Sequence, residues 1–276
     1  MTNFTNLTKK MFVTVMLLVT VVAVAPLKTL AQENHPTFAV VDFMKVNQGD
    51  EDKYVQVEEN YWKPIHQERI KDGEIVAWEL YKVRYTGTDD EYNFVTVTLF
   101  DDPAKLEHPL QVDWEKIKPE ADLDKMFAET MASRQLVKKI LFMQLDGVDA
   151  GENGQPVKYL QVNFMKVKPG GESAYVANEQ KVWKPVHQEF VKNGTRAGWS
   201  IWQTLYPNGA GEPYQYVTVD DYNSFAQLGQ ADFQAAFKKA HGDEDVSELL
   251  KETDQARTLE KSELWELLDI VVKPKE

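Results

Sequence analysis

Two histidines stand at equivalent places in two similar stretches of the sequence. His66 follows Trp62 by four residues and Glu58 by eight, and the same spacing recurs in Glu179, Trp183 and His187. Residues four apart lie along one face of a helix, so each stretch would present a carboxyl, an indole and an imidazole group together. Such a group suits a proton relay or axial ligation of a haem iron. The competing hypothesis is structural: each histidine packs where its helix is interrupted and hydrogen-bonds to a freed carbonyl group.

Asp42 and Asn163 are polar residues within two predicted strands that are otherwise apolar. Because side chains alternate along a strand, the two residues share a face with Met44 and Met165, respectively. A polar group on a buried face needs a hydrogen-bonding partner or a ligand. If this face lines a barrel, we expect Asp42 and Asn163 to project into its cavity from opposite halves. The alternative is a pair of satisfied buried polar groups.

Aromatic residues are frequent in the same segments. They could line a cavity for an apolar ligand, or they could form an ordinary core, where aromatic packing is favourable. The set comprises Trp62, Trp78, Tyr81, Trp183, Trp199, Trp202 and Tyr216. The predicted ligand-binding residues are Asp42, Asn163, Trp62, Trp78, Trp183 and Trp199. The catalytic candidates are His66, His187, Glu58 and Glu179.

Motifs of the common catalytic and metal sites are missing from the 276 residues. There is no glycine-rich phosphate-binding loop, no G-x-S-x-G nucleophile motif, no H-E-x-x-H pair and no calcium-loop spacing of carboxylates. We therefore predict no metal site, and the motifs assign no enzyme class.

The two stretches belong to an internal repeat. Residues 42–78 and 163–199, which are 121 positions apart, align without a gap and share 18 identities in 37 positions. An ungapped match of this length indicates that a structural unit is repeated. Within it, Trp62-Lys63-Pro64 and Trp183-Lys184-Pro185 predict a helix with a kink near Lys63 in the first copy, because proline lacks the N–H group that a helix requires.

Each copy has the same predicted order of elements. In the first copy we predict strands over 37–46, 75–84, 92–100 and 140–145, the kinked helix over 51–71, and a second helix over 121–139. The copies, 37–146 and 157–272, are joined by a predicted linker over 147–156 that is rich in glycine. The order βαββαβ is the ferredoxin-like motif, in which one face of the sheet is uncovered. Two copies bury these faces when their sheets pack together or close into a barrel, so we predict an α+β protein of two tandem ferredoxin-like repeats.

Residues 1–31 are typical of a secretory signal peptide. Lys9 and Lys10 precede an apolar run from Met11 to Ala25, and Thr29-Leu30-Ala31 supplies the small residues of a cleavage site. An uncleaved anchor is the alternative, although the run is short for a membrane span. We expect an exported protein, periplasmic or extracellular, with no stable membrane insertion after cleavage.

Charge and cysteine content narrow the range of partners. Without the first 31 residues, 31 − 3 = 28 basic residues oppose 44 acidic residues, which is a formal charge of −16. Such a charge disfavours binding to nucleic acid or to anionic lipid. The chain has no cysteine, which excludes disulfide bonds and thiolate metal sites.

The repeated βαββαβ order, the proline-kinked first helix and the spacing of Gly73 to Trp78 and of Gly194 to Trp199 resemble the dimeric α+β barrel superfamily. Its families include the antibiotic-biosynthesis monooxygenase-like, EthD-like, chlorite dismutase-like and NIPSNAP-like proteins, and the last are most similar in helix pattern. The resemblance implies a pseudo-dimeric α+β barrel within one chain, either a monomer or a weak homo-oligomer.

Three functions stay open at this point. The first is a protein that binds a small apolar or aromatic molecule in a barrel cavity. The second is a cofactor-free or haem-dependent monooxygenase that uses His66 or His187. The third is a structural assembly module, which would need a barrel packed without a void.

Overall fold

A computed structural model describes residues 37–108, 112, 114–117, 122–149 and 157–273. The predicted signal peptide and residues 150–156 of the predicted linker lie outside the described residues. Within the described part of the chain, no helix is both long and apolar enough to cross a membrane.

The first half of the described chain has the element order βαββαβ with short additions. Its strands are β1 Phe38–Lys45, β2 Ala77–Val83, β3 Phe94–Phe100 and β4 Gln135–Asp149. Its helices are α1 Glu51–Val57, α2 Lys63–Lys71, α3 Trp114–Ile117 and α4 Leu123–Ser133, with a π-helical turn at Glu58–Trp62 and a 3-10 turn at Pro103–Glu107.

The second half follows the same order with one additional helix. Its strands are β5 Tyr159–Val167, β6 Gly198–Tyr206, β7 Tyr216–Tyr222 and β8 Arg257–Val272. Its helices are α5 Glu172–Asn178, α6 Lys184–Lys192, α7 Phe233–His241 and α8 Val246–Ala256, with a π-helical turn at Glu179–Trp183 and a 3-10 turn at Phe225–Gly229.

The eight strands form one closed antiparallel barrel in the order β1-β3-β2-β8-β5-β7-β6-β4. Each half supplies four adjacent strands, and the halves meet where β2 pairs with β8 and where β4 pairs with β6. The strands β4 and β8 are long because each pairs first within its own half and then continues along a strand of the other half. Closure therefore depends equally on both halves.

Two ion pairs tie the helices across these junctions. Lys63 Nζ at the start of α2 lies 2.7 Å from Asp269 Oδ1 on β8 of the other half. Lys184 Nζ at the start of α6 lies 2.5 Å from Asp146 Oδ1 on β4. Equivalent residues thus hold each helix to the opposite half.

The alternation of side chains along the strands divides the core into layers. In β1, Ala39, Val41 and Phe43 point into the barrel and pack with residues of both halves. Phe38 and Met44 point the other way and pack beneath the helices of the first half. The phase of each strand therefore decides which side chains can reach the barrel interior.

The proline of each first helix is accommodated by a π-helical turn. Pro64 cannot donate a backbone hydrogen bond, and the N–H of Lys63 donates to the carbonyl of Glu58, five residues earlier. The same bond joins Lys184 to Glu179 in the second half. The predicted kink near Lys63 is thus a widened turn, a feature that is frequent at functional sites.

Some predicted boundaries are wrong. The helix predicted over 121–139 ends at Ser133, and β4 begins at Gln135. Residues 135–143 pair with β1, so tertiary contacts override the helical pattern. Residues 147–149, predicted as linker, belong to β4 and pair with β6. The sequence pattern also did not reveal α7, which packs on α6 in a cluster that includes Phe237 and Phe190.

Candidate functional site

A cavity of about 240 Å³ lies inside the barrel, and we call it the barrel cavity. Its walls are mainly apolar and come from both halves, and they include Val41, Phe43, Tyr81, Phe142, Phe164 and Trp265. An apolar cavity of about 150 Å³ in a protein core can hold benzene. The barrel cavity therefore has room for one aromatic ring with a short chain.

One end of the barrel cavity carries carboxyl groups, and we call it the acidic end. Glu79 of β2 and Asp221 of β7 line it, and Asp149 at the end of β4 lines it while being exposed to solvent. The cavity therefore reaches the surface here. The hydroxyl group of Tyr81 donates to Glu79 Oε2 at 2.8 Å. A Cβ atom on Gly198 would lie 2.5 Å from Asp221 Oδ2, so the glycine permits the close approach of this carboxyl.

The pKa values of both inner carboxyl groups are raised. Burial, assisted by the negative charges of Asp220, Glu79 and Asp149, raises the pKa of Asp221 to about 8, although Arg196 partly opposes the shift. Burial also raises the pKa of Glu79, and its hydrogen bond from tyrosine lowers it in part. At neutral pH Asp221 is thus mainly protonated as long as no additional cation approaches it.

The other end of the barrel interior is closed by lysine and tyrosine side chains. In the strand register, Asp221 lies opposite Leu160 of β5, whereas Lys261 lies opposite a residue four positions further along that strand. The two side chains therefore belong to different ends of the barrel. Lys138 Nζ lies 4.8 Å from the ring centre of Tyr92, and Lys261 Nζ lies 5.0 Å from it. Glu263 accepts hydrogen bonds from both Lys261 and Tyr92 at 2.7 Å. These groups already have partners.

A second cavity, also of about 240 Å³, lies between the sheet and the helices of the first half, and we call it the first-half cleft. Its lining includes Asp42, Glu58, Trp62, His66, Arg69 and Trp78. His66 is stacked on Trp78, with ring centres 5.0 Å apart. The ring centre of Trp62 lies 6.4 Å from that of His66, and the two ring planes are inclined by 30°. The histidine, one tryptophan and one carboxylate of the predicted group therefore do face a common space.

His66 is neutral in the first-half cleft. Burial lowers its pKa to about 3, and the positive charge of Arg69 adds to this effect. Arg69 Nη1 lies 3.4 Å from His66 Nδ1. Because a guanidinium group only donates, we assign Nδ1 as the acceptor and place the proton on Nε2. His66 can therefore donate a hydrogen bond from Nε2–H, but it is a weak base.

Two carboxyl groups of the first-half cleft also have raised pKa values. Burial raises the pKa of Asp42, and Lys139, whose Nζ lies 3.4 Å from Oδ1, opposes the shift. Burial raises the pKa of Glu58 to about 7, and Arg134, whose Nε lies 3.3 Å from Oε1, opposes it. Burial has the same effect on Glu179 in the second half, where the pKa is again about 7. Glu58 and Glu179 can therefore change protonation near neutral pH.

Arg196 fills the corresponding region of the second half. Its Nη1 lies 2.7 Å from Asp220 Oδ1 and contacts His187 Nδ1. Asn163 Nδ2 donates to Asp220 Oδ2 at 3.2 Å. The residue of the first half that aligns with Arg196 is Ile75. The polar groups around Asp220 in the second half are thus paired with one another, whereas Asp42 and His66 of the first half face a cavity.

His66 does not fit an axial haem ligand in this arrangement. An axial histidine usually donates from its second ring nitrogen to a carboxylate or carbonyl oxygen, but Nδ1 of His66 faces Arg69, so Nε2 carries the proton and has no free lone pair for iron. Nδ1 of His187 contacts Arg196 and also lies 3.4 Å from Asp220 Oδ1, and its ring is stacked on Trp199. Among the residues that the structure describes, no group of three His, Asp or Glu side chains is arranged to hold a metal ion. We therefore assign no role to haem, and its binding stays a prediction that visible absorbance tests.

The expectation that Asp42 and Asn163 project into the barrel is wrong. Asp42 lines the first-half cleft, and Asn163 is buried in the polar cluster of the second half. Their neighbours Val41 and Val162 point into the barrel. Because successive side chains of a strand point to opposite faces, Asp42 and Asn163 point to the helix side. For Asn163 the alternative hypothesis of a satisfied buried group describes the structure.

The four predicted tryptophans are divided among three places. Trp62 and Trp78 line the first-half cleft. Trp183 packs on the ring of Phe237 at 5.3 Å and donates to Thr253 at 3.0 Å. Trp199 stacks on the second histidine and also borders the barrel cavity.

Sequence reasoning missed the residues that distinguish the two halves, namely Glu79, Asp221 and Arg196. Their counterparts are Ser200, Leu99 and Ile75, so a search for repeated residues could not find them. A signal was nevertheless available. Glu79 and Asp221 are acidic residues in the barrel-facing phase of strands whose other barrel-facing residues are apolar, and a buried acid needs an explanation.

Neither a protein-family model nor a curated protein matches the sequence. Solved structures are similar in fold. A candidate monooxygenase from Fusobacterium nucleatum is 12% identical, with a TM-score of 0.54 over 87% of this chain and 96% of that one. A candidate monooxygenase from Lactobacillus acidophilus is 10% identical, with a TM-score of 0.51 over 86% of this chain and 96% of that one. With its closed barrel of eight strands, the chain therefore has the dimeric α+β barrel fold, built here within a single polypeptide.

Proposed function

We propose that the protein is exported and binds a small apolar or aromatic molecule in the barrel cavity. The observation that supports this most strongly is the cavity itself, about 240 Å³ of space with mainly apolar walls. Protein interiors are close-packed, and voids larger than a water molecule are few. An assembly module would need no such void, so the cavity favours binding over that hypothesis.

A single chain is sufficient to form this site. Residues of both halves line the barrel cavity, and the barrel closes without a second subunit. We propose that the halves arose by duplication and fusion of one βαββαβ unit and that the protein acts as a monomer or a weak homo-oligomer. Native mass spectrometry of the purified full chain would give its oligomeric state and would detect any small molecule that it retains.

Two neighbouring valines provide a matched test of the site. Val41 lines the barrel cavity, whereas Val40 lines the first-half cleft on the opposite face of β1. A phenylalanine at either position adds the same volume, and overpacking of this kind costs about 1–3 kcal/mol of stability. Circular dichroism and thermal unfolding would establish that both variants fold.

The probe is 2-phenylethanol, a neutral molecule with one ring, titrated into the full chain by isothermal calorimetry. We expect binding by the wild type and by Val40→Phe, and loss of binding in Val41→Phe, whose ring occupies the barrel cavity. Unchanged binding in Val41→Phe would place the probe elsewhere and contradict the proposal, as would a wild type that binds nothing.

A second function, cofactor-free oxidoreductase chemistry, is favoured by the first-half cleft. Asp42 and neutral His66 face the same space. Asp42 could accept a proton from a carbon next to a carbonyl group, and His66 Nε2–H could donate to the enolate oxygen that results. A carbanion of this type is electron-rich and is the form of such a substrate that reacts with molecular oxygen. Burial raises the pKa of Asp42 above the ordinary value of an aspartate, which makes its carboxylate a stronger base for this step.

Proton abstraction can be measured without knowledge of the natural substrate. The probe is 2-tetralone in D₂O, and exchange of its acidic C–H groups is followed by NMR. We expect the full chain to accelerate exchange and His66→Gln or Asp42→Asn to remove most of the acceleration. His187→Gln is the matched control, because His187 is enclosed by Arg196 and Asp220. Equal loss in the His187 variant, or no acceleration by the wild type, would refute this second function.

A further inference from the structure

We infer that the barrel cavity selects an organic amine, whose ammonium group lies at the acidic end beside Glu79 and Asp221 and whose apolar part lies among the aromatic walls. This inference rests on the proposed function, since it names the chemical class of the molecule that the barrel cavity binds. It assigns a task to two carboxyl groups that have no counterpart in the other half of the chain.

In the part of the chain that the structure describes, no cation is paired with the carboxyl groups of the acidic end. Glu79 accepts one hydrogen bond from the neutral hydroxyl of Tyr81. Among the described residues, no side chain donates a hydrogen bond to Asp221. The arginine whose charge acts on Asp221 is Arg196, and its guanidinium is bound to Asp220, which points to the opposite face of β7. Carboxylates enclosed in a cavity are normally paired, and the described residues supply no cation that is bound to these two.

An ammonium group fits what the acidic end offers. It has three N–H donors and no acceptor, and the side chains of Glu79 and Asp221 can accept from it as carboxylates. Gln144 and Ser200 also line the cavity and add neutral acceptor oxygens. Aromatic walls stabilise a nearby cation through the negative faces of their rings, and Tyr81 and Trp202 line the same space. Hydrogen bonds between charged groups are stronger than those between neutral groups.

The surroundings disfavour ligands of other charge. A carboxylate at the acidic end would meet the negative charges of Glu79 and Asp149, which also raise the pKa of Asp221. At the other end, Lys261 is already paired with Glu263, and Lys138 is 3.5 Å from Glu91. The formal charge of −16 on the chain without its first 31 residues, 28 basic against 44 acidic, also attracts cations over long range.

Binding of an ammonium ion should displace a proton. The charges of Glu79, Asp149, Asp220 and Arg196 act on Asp221, and it is mainly protonated in their presence at neutral pH. A bound cation favours the carboxylate form. Asp221 would then release its proton to the buffer when the amine binds, whereas a neutral ligand of the same shape would release none. This proton is a signal that a purely structural role of Asp221 would not produce.

The test compares 2-phenylethylamine with 2-phenylethanol, which differ in the charged group alone, by calorimetry on the full chain at pH 7.5. Titrations in two buffers of different ionisation enthalpy report the proton released. We expect the amine to bind about tenfold or more tightly than the alcohol, because a charged hydrogen bond outweighs a neutral one. We also expect up to about one proton to be released with the amine and none with the alcohol.

Variants separate this inference from the proposed function. We expect Asp221→Asn to weaken amine binding about tenfold and to abolish proton release, with little change for the alcohol. Asp254→Asn removes the same charge from an exposed position on α8 and should leave both affinities unchanged. If the alcohol binds as tightly as the amine, or if Asp221→Asn leaves amine binding intact, the selectivity for amines is refuted while binding in the barrel cavity stands. If neither probe binds the wild type, both proposals fail.

Discussion

Asp221 should make the protein less stable as the pH rises, and Asp221→Asn should remove this dependence. The pKa of Asp221 is about 8 in the folded chain, against 3.8 for an ordinary aspartate. Between these values the folded state holds a proton that the unfolded state has released. The group therefore contributes its full stability below pH 3.8, and this contribution is lost progressively as the pH rises to about 8.

The size of the effect follows from the two pKa values. One pKa unit corresponds to about 1.4 kcal/mol, so at pH 7 the difference of 7 − 3.8 units gives an upper limit of about 4 kcal/mol. Water at the open acidic end screens the charge and reduces this amount. Asparagine has nearly the same shape and does not titrate. Relative to the wild type, Asp221→Asn should therefore gain stability steadily between pH 5 and pH 7.

The assay is urea-induced unfolding followed by tryptophan fluorescence at five values from pH 4 to pH 8, without ligand. The quantity of interest is the difference in the free energy of unfolding between variant and wild type. A constant offset reflects altered hydrogen bonding, whereas a rise with pH reports the titration of Asp221. Asp254→Asn, which is exposed, should give a flat difference. A flat difference for Asp221→Asn as well would refute both the raised pKa and the account of the acidic end.

Two further substitutions test other parts of the structure by the same unfolding assay. Gly198→Ala should lose about 1–3 kcal/mol, because its Cβ would lie 2.5 Å from Asp221 Oδ2 and 3.1 Å from the backbone oxygen of Val148, which cannot rotate away. Gly211→Ala, with no atom within 4 Å, should change stability by less than about 0.5 kcal/mol. Equal effects of the two substitutions would show that the close approach is unimportant. Arg134→Met should lose about 3–5 kcal/mol at pH 8, where it leaves Glu58 buried without its partner. The loss should be smaller at pH 5, because Glu58, with a pKa of about 7, is then already neutral, and an equal loss at both pH values would contradict the assigned pKa.

Local patterns in the sequence were sufficient for the βαββαβ order of the main elements, although not for α7. Pro64 and Pro185 mark the interruption of each first helix because the missing N–H group is a property of the residue itself. The end of the helix at Ser133 was not predictable in this way, since residues 135–143 become a strand through pairing with β1. Pairing across 90 residues of sequence leaves no local signal.

The candidate site was predicted only in part. The helical spacing of Glu58, Trp62 and His66 correctly brought these residues to one cavity. The orientation of Asp42 could not be decided from its own strand, because both faces of β1 carry apolar residues and both are buried. The acidic end joins β2, β4 and β7, and it depends on Glu79 and Asp221, which do not repeat. These strands come together only in the closed barrel.

The occupation of one cleft by Arg196 has a consequence for how such a protein can change. In a dimer of identical subunits every substitution occurs twice, so an arginine that closes one cleft closes both. In this chain the same position is Arg196 in one half and Ile75 in the other. One half can therefore serve as a rigid support while the other keeps an open cleft. Because both halves are parts of one chain, a substitution in one half does not also occur in the other.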